Sequence, residues 1–269
     1  MKPINRLCLA LLLGCFLLTG CSVARRIRGG DQPSGLSIPR NTAEMAAFTM
    51  DENGVVAYPD AIQGIDVSSH QQQIDWEAVY QDGIRFAILQ IGFRGYNESG
   101  SLNVDSRFEE NYENARAAGI SVGAYFYSQA TSVAEAREEA EFVLDTLDGR
   151  KLELPVFYDW EEVSKGRTAG FANTLVSDYA ETFCGAITDG GYAPGVYFSQ
   201  SYGYMLLNLE RLQNCAFWLA EYSSYQSFGY AVHFWQYTGQ GHVAGIDVQV
   251  DRNLMYVEPR SEPVTEVVE

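Results

Sequence analysis

The sequence predicts an α/β fold, a modified TIM-like β/α barrel with some outer helices missing in its last third. Three observations lead there. Short apolar runs recur along the chain, each bounded by Gly, Pro, Asp or Ser, as strands are. Several of these runs lack polar alternation, the mark of strands covered on both faces. Helical spacing fills the gaps between the early runs, whereas strands dominate the last third.

Taken in order, strands are expected at IQGIDV (62–67), RFAILQIG (85–92), ISVGAYFYS (120–128) and LPVFYDW (154–160). They continue at APGVYFS (193–199), AFWLAEY (216–222), AVHFWQY (231–237) and GIDVQV (245–250). Between the early ones, Asp75 to Gln81 reads as a short helix and Asp105 to Ala118 as a longer one. Ser132 to Leu147 carries Ala and Glu at helical spacing, and Leu175 to Thr188 ends at the stop signal Asp189-Gly190-Gly191. No internal repeat is visible.

The flanks differ in character. In residues 1–21, Lys2 and Arg6 precede an apolar run too short to span a membrane comfortably, the layout of a secretory signal peptide. The run ends in Leu18-Thr19-Gly20-Cys21, which resembles a bacterial lipobox. That resemblance implies lipidation of Cys21 as the new N-terminus and an extracytoplasmic protein anchored to the cell membrane. Residues 22–60 have linker composition, with Arg25, Arg26 and Arg28 suited to lie near anionic headgroups. A folded domain over 61–258 follows, and 259–269 reads as an acidic tail that frays. Loss of the signal removes Cys8 and Cys15, leaving Cys184 and Cys215 either paired or buried singly.

The chain has 269 residues, 46% of them hydrophobic, enough to bury the core of one large domain. Its formal charge of -17 argues against a nucleic-acid partner, because nothing offsets phosphate repulsion. The chemistry concentrates in LPVFYDWEEV, where an apolar run meets Asp159, Glu161 and Glu162. Residues i and i+2 of a strand share a side, so Asp159 and Glu161 face one way and Trp160 the other. In parallel barrels the working groups collect at the C-terminal ends of strands. A lone Asp-x-Glu triplet also fits a helix cap. Two other runs end in the same way, however, with Asp66 in GIDVSSH and Asp251 in DVQVDRN. Carboxylates gathered at one mouth repel each other, an arrangement that raises pKa values.

These stretches, with others in the same order, resemble family 25 of the glycoside hydrolases, the cellosyl-type muramidases or lysozymes. The carrying motifs are GIDVSSHQQQIDW, FAILQIGFRG, AGISVGAYFYSQA, PVFYDWE, FWLAEY, FWQYTGQGHVAGID and VDRN, together covering roughly Ile62 to Val257. The resemblance implies that 61–258 is a catalytic domain with an acidic hole at the C-terminal face of its barrel. It also implies cleavage of the β-1,4 bond between N-acetylmuramic acid and N-acetylglucosamine in peptidoglycan, with retention. On the matching positions Glu161 is the general acid and Asp159 its partner, with Asp66 and Asp251 completing the cluster. Asp247 is the rival of Asp251, which is preferred because VDRN matches the family's Val-Asp-x-Asn pattern.

Such chemistry needs a carboxyl still protonated near neutral pH and a negative group opposite an oxocarbenium-like transition state. Asp159 either attacks C1 or orients the substrate's own acetamide; both routes stay open. Sugar rings stack on aromatic faces, so Tyr125, Tyr127, Tyr197, Trp218, Tyr222 and Trp235 are the candidate substrate-binding residues, each equally suited to packing. Glu221 stands where the family usually has Gln, which adds a charge near the expected cleft. His70, His233 and His242 show no metal-binding spacing, so no metal and no cofactor are expected. A non-catalytic wall-binding module of the same fold, or a glycosidase on another acetamido polymer such as chitin, are the competing readings.

Overall fold

Apolar runs far apart in sequence satisfy one another's backbone hydrogen bonds, and eight of them close into a ring. The computed structural model describes residues 38–170, 175–257 and 261–262. Before the barrel come β1 (Arg40–Asn41), β2 (Thr49–Met50) and β3 (Val56–Ala57). The barrel region then runs β4 (Ala61–Val67), α1 (Trp76–Gln81), β5 (Phe86–Arg94), β6 (Leu102–Val104), α2 (Phe108–Ala117) and β7 (Ser121–Ser128). It continues with α3 (Val133–Leu147), β8 (Val156–Trp160), α4 (Val176–Asp189), β9 (Pro194–Ser199) and α5 (Gln200–Met205). The last strands are β10 (Ala216–Ala220), β11 (Phe234–Gly241), β12 (Val250–Tyr256) and the short β13 (Ser261–Glu262).

Around the ring the order is β4-β12-β11-β10-β9-β8-β7-β5, closed by pairing of β4 with β5. Successive pairs are parallel except at β12, which runs antiparallel to both β11 and β4. The short β6 lies antiparallel against β5. Helices join the strands as far as β10, the last being only the six residues of α5. Among the described residues no helix lies between β10 and β12, so the predicted thinning of the outer layer is present.

Local chemistry sets the helix starts. Asp75 accepts from the Ala78 N–H at 3.1 Å ahead of α1, and Ser132 from the Glu135 N–H at 3.2 Å ahead of α3. Each satisfies a donor that the first helical turn leaves unpaired. The outer core packs these helices on the barrel through residues such as Val143, Leu147, Phe183 and Ile187.

The barrel interior is a separate apolar cluster of Phe86, Ile88, Leu154, Phe157, Ala216, Trp218 and Phe234. Room for two of these rings comes from glycines on neighbouring strands. A Cβ at Gly64 would stand 2.3 Å from the Phe86 ring, and one at Gly195 equally close to Phe157. Along β8 the alternation puts Phe157 in this plug and Asp159 one step nearer the strand's end on the same side. The site is therefore the upper continuation of the core.

Three expectations need correction. Ile38 to Ala57, read as linker, is built against the barrel instead. The β2–β3 hairpin forms, the Phe48 ring lies 5.4 Å from Trp235, and Tyr58 lies 5.9 Å from Tyr256. Its apolar residues are too sparse to show periodicity, yet Ile38 and Val56 are buried and Phe48 packs against the barrel. In the region read as an acidic tail, Ser261 and Glu262 pair with Asn41 and Arg40. The last barrel strand is also shifted: GIDVQV is mostly turn, and β12 begins at Val250. Asp251 thus stands near the start of a strand, and only the reversed direction of β12 brings it to the same rim as Asp66. The signal segment, Cys21, the early arginines and most of the tail lie outside the described residues. Cys184 and Cys215 are free and buried.

Candidate active site

Three strands deliver the four carboxyl groups. Asp66 is the penultimate residue of β4 and pairs in register with Asp251 of β12. Asp159 is the penultimate residue of β8, and Glu161 follows one residue beyond its end. Trp160 turns the other way, its indole Nε1 donating to the Ala130 carbonyl at 2.9 Å. Asp66 and Asp159 are buried, while Glu161 and Asp251 are partly exposed. Asp247 is exposed in the β11–β12 turn and takes no part.

The Asp66 carboxylate is held by amides. Its Oδ2 accepts from Asn253 Nδ2 at 2.7 Å and from Gln236 Nε2 at 2.9 Å. Each amide is oriented in turn: Trp218 Nε1 donates to Asn253 Oδ1 at 2.8 Å, and the Tyr197 and Tyr222 hydroxyls donate to Gln236 Oε1 at 2.9 and 3.1 Å. On the β7 side the Tyr127 hydroxyl donates to Glu161 Oε2 at 3.2 Å. Asp159 differs from these acids, since its Oδ1 is buried with no hydrogen-bond partner.

Burial and crowding move all four acids the same way. Burial is the largest cause at Asp66, followed by the charge of Asp251, and together they overcome the two amide donors and hold its pKa well above the usual aspartate range. Burial, then the charges of Glu161, Asp66 and Asp251, lift Asp159 well above that range too. Glu161 is raised by burial, against the Tyr127 hydrogen bond and with help from the Asp251 charge. Asp251 is raised by burial and pulled back by its hydrogen bond with Asp66. The arrangement can donate a proton from one carboxyl while presenting negative charge from another, the requirement of acid-assisted cleavage of an acetal.

The comparisons with known proteins agree with this geometry. Residues 65–246 match the sequence model described as Glycosyl hydrolases family 25. The chain belongs to that family. The family 25 chain is 32% identical over 199 residues to YegX of Escherichia coli O157:H7, itself uncharacterized, covering 72% of this chain and 69% of that one. It is 26% identical over 242 residues to Lysozyme M1 of Streptomyces globisporus, covering 82% and 80%. Its fold is similar to that of a family 25 glycosyl hydrolase from Bacillus anthracis, with TM-score 0.62 and 24% identity over 72% of this chain and 88% of that one. Family and relatives support a glycoside hydrolase directed at cell wall.

Within the family 25 barrel the six aromatic candidates separate. Tyr127 touches Glu161, and Tyr197 and Tyr222 touch Gln236. Tyr222, 64% exposed, offers an open ring at the rim. Tyr125 lies lower, its ring 6.0 Å from Trp218. Trp218 and Trp235 are corrected: at 1% and 0% exposure neither has a face left for a sugar. Trp218 is enclosed by Tyr197 and Phe157 at 4.6 and 5.1 Å, and Trp235 lies beneath Phe48 with its Nε1 donating to the Glu221 carbonyl at 2.8 Å. Glu221 does not charge the cleft. Its carboxylate accepts from the Ser227 and Phe228 N–H groups at 3.0 and 3.3 Å and so caps its own loop.

Four residues escaped the sequence reading. Gln236 and Asn253 orient Asp66; both lie inside the family-like motifs FWQYTGQGHVAGID and VDRN, but neither was read as a site residue. Tyr96, 53% exposed, lies edge-on to Tyr127 at 6.0 Å and adds a second open ring. Gly239 abuts the cluster, since a Cβ there would stand 3.0 Å from Asp251 Oδ1.

Proposed function

We propose that this family 25 member is an N-acetylmuramidase that cleaves the β-1,4 bond between N-acetylmuramic acid and N-acetylglucosamine in peptidoglycan, with retention of configuration. The observation that carries the reading is Glu161. It is a partly exposed carboxyl at the barrel mouth, raised by burial above the ordinary glutamate range and two residues from a buried aspartate.

In this mechanism Glu161 gives its proton to the glycosidic oxygen and the glucosamine side departs as an alcohol. Asp159 meets the positive charge that develops at C1. Its unpartnered Oδ1 can either attack C1 itself or accept a hydrogen bond from the N–H of the substrate's acetamide. The first route passes through a glycosyl-enzyme ester, the second through a cyclic intermediate formed by the acetamide oxygen. In both, Glu161 then takes a proton from the water that restores the hydroxyl at C1. Asp66 and Asp251 keep the pocket negative, and Tyr96 and Tyr222 present rings on which sugars stack.

The test is product analysis of digested wall by mass spectrometry. New reducing ends on muramic acid are expected from wild type. Glu161→Gln, folded, should lose on the order of 10²–10⁴ in rate, the range general acid catalysis supplies. Near-wild-type activity in that variant would remove Glu161 from the role. Release from chitin with none from peptidoglycan would move the substrate to another acetamido polymer.

A further inference from the structure

Glu161 lies just past the end of β8, where strand pairing no longer fixes the backbone. A general acid needs its carboxyl placed closely against the leaving oxygen, so something else must hold this residue. The fully buried Gln129 reaches it from the end of β7. Its Nε2 donates to the Glu161 carbonyl at 2.7 Å and to the Ser128 carbonyl at 2.9 Å. Its Oε1 accepts from the Thr168 hydroxyl at 2.9 Å. Thr168, also fully buried, accepts in turn from the Val163 N–H at 2.9 Å. One carboxamide and one hydroxyl therefore tie Glu161 itself and Val163, two residues on, to the end of the neighbouring strand, in a place without solvent to substitute for them.

We propose that Gln129, acting with Thr168, is a positioning residue that sets the Glu161 carboxyl for proton donation. It touches neither substrate nor the reacting carboxyl and works through the Glu161 main chain. The proposal rests on the reading of Glu161 as the acid. With the clamp gone, Glu161 is free to swing toward solvent. Its carboxyl then loses part of the burial that favours the protonated form, and the pH at which activity falls on the alkaline side moves down.

The experiment measures kcat, KM and the pH profile on soluble peptidoglycan fragments for wild type, Gln129→Met, Thr168→Val and Thr168→Ser, with thermal midpoints for each. Thr168→Val removes the hydroxyl at nearly constant shape, and Thr168→Ser restores it. The expected result is a drop in kcat of tenfold or more in the first two variants with KM within twofold. Their alkaline limb should shift down, and Thr168→Ser should return both toward wild type. Gln129→Met and Thr168→Val with wild-type kcat and an unmoved limb would overturn the positioning role. So would a drop in kcat matched by lost folded protein, with the limb in place. If Gln129→Met does not fold, the Val and Ser variants decide alone. No cleavage by wild type, by contrast, overturns the proposed function itself.

Discussion

Among single residues, Tyr127 gives the most direct handle on the acid. Its hydroxyl stabilises the charged form of Glu161, opposing the burial that stabilises the neutral form. Tyr127→Phe removes only the former, so the Glu161 pKa should rise further. The alkaline limb of kcat/KM should then move to higher pH, opposite in direction to the shift expected from Gln129→Met. A limb that stays in place or moves down would show that Tyr127 does not tune this carboxyl. Asp66, Asp159, Glu161 and Asp251 were visible in the sequence because each ends or begins an apolar run. The role of the amides that orient Asp66 was not, although Asn253 stood in the Val-Asp-x-Asn pattern, since Asn253 and Gln236 act only through partners on other strands. The two tryptophans were misplaced for a related reason. Exposure depends on how far along its strand a residue sits relative to the rim, and register between distant strands sets that.

At the level of elements, α3 carries a second titrating group behind the site. Glu139 is fully buried, receives Arg94 Nε at 2.7 Å and the Ser128 hydroxyl at 2.6 Å, and burial nonetheless pushes its pKa up to about 7. The unfolded chain releases this proton at the ordinary glutamate pKa near 4.5, before the folded protein does. Stability from this group is therefore fully present below about 4.5 and declines as pH rises to about 7, by up to roughly 3 kcal/mol. Glu139→Gln should flatten that part of the slope. The four site carboxyls contribute in the same direction in both proteins and cancel in the comparison. Urea unfolding at pH 5 and pH 7 measures it, and equal slopes in the two proteins would refute the assignment. Strands and long helices were readable from sequence because their periodicity is local. The direction of β12, the short β6 and the six-residue α5 were not, because partners rather than propensity make them.

Across the whole molecule, the N-terminal segment decides how the barrel is carried. Ala231 N donates to the Pro39 carbonyl at 2.9 Å, so the chain joins the barrel just ahead of β11, whereas the carboxyls stand by the ends of the parallel strands. If Cys21 bears lipid, as its sequence context suggests, the 16 residues from Ser22 to Ser37 span at most about 55 Å. A lipid there would lie within that reach of Ile38, where the described chain meets the barrel on the side away from the mouth. Cys21→Ala should move the protein from the membrane to the soluble fraction with undiminished activity on isolated wall fragments. Retention in the membrane would refute the anchor.

The antiparallel closing strand has a further consequence. Asp66 comes from the opening stave of the barrel and Asp251 from the final one, so the pair exists only once the ring is shut. A chain still emerging during synthesis, or cut short before Val250, carries half of an unfinished pocket. Closure of the ring and assembly of the Asp66–Asp251 pair are the same event.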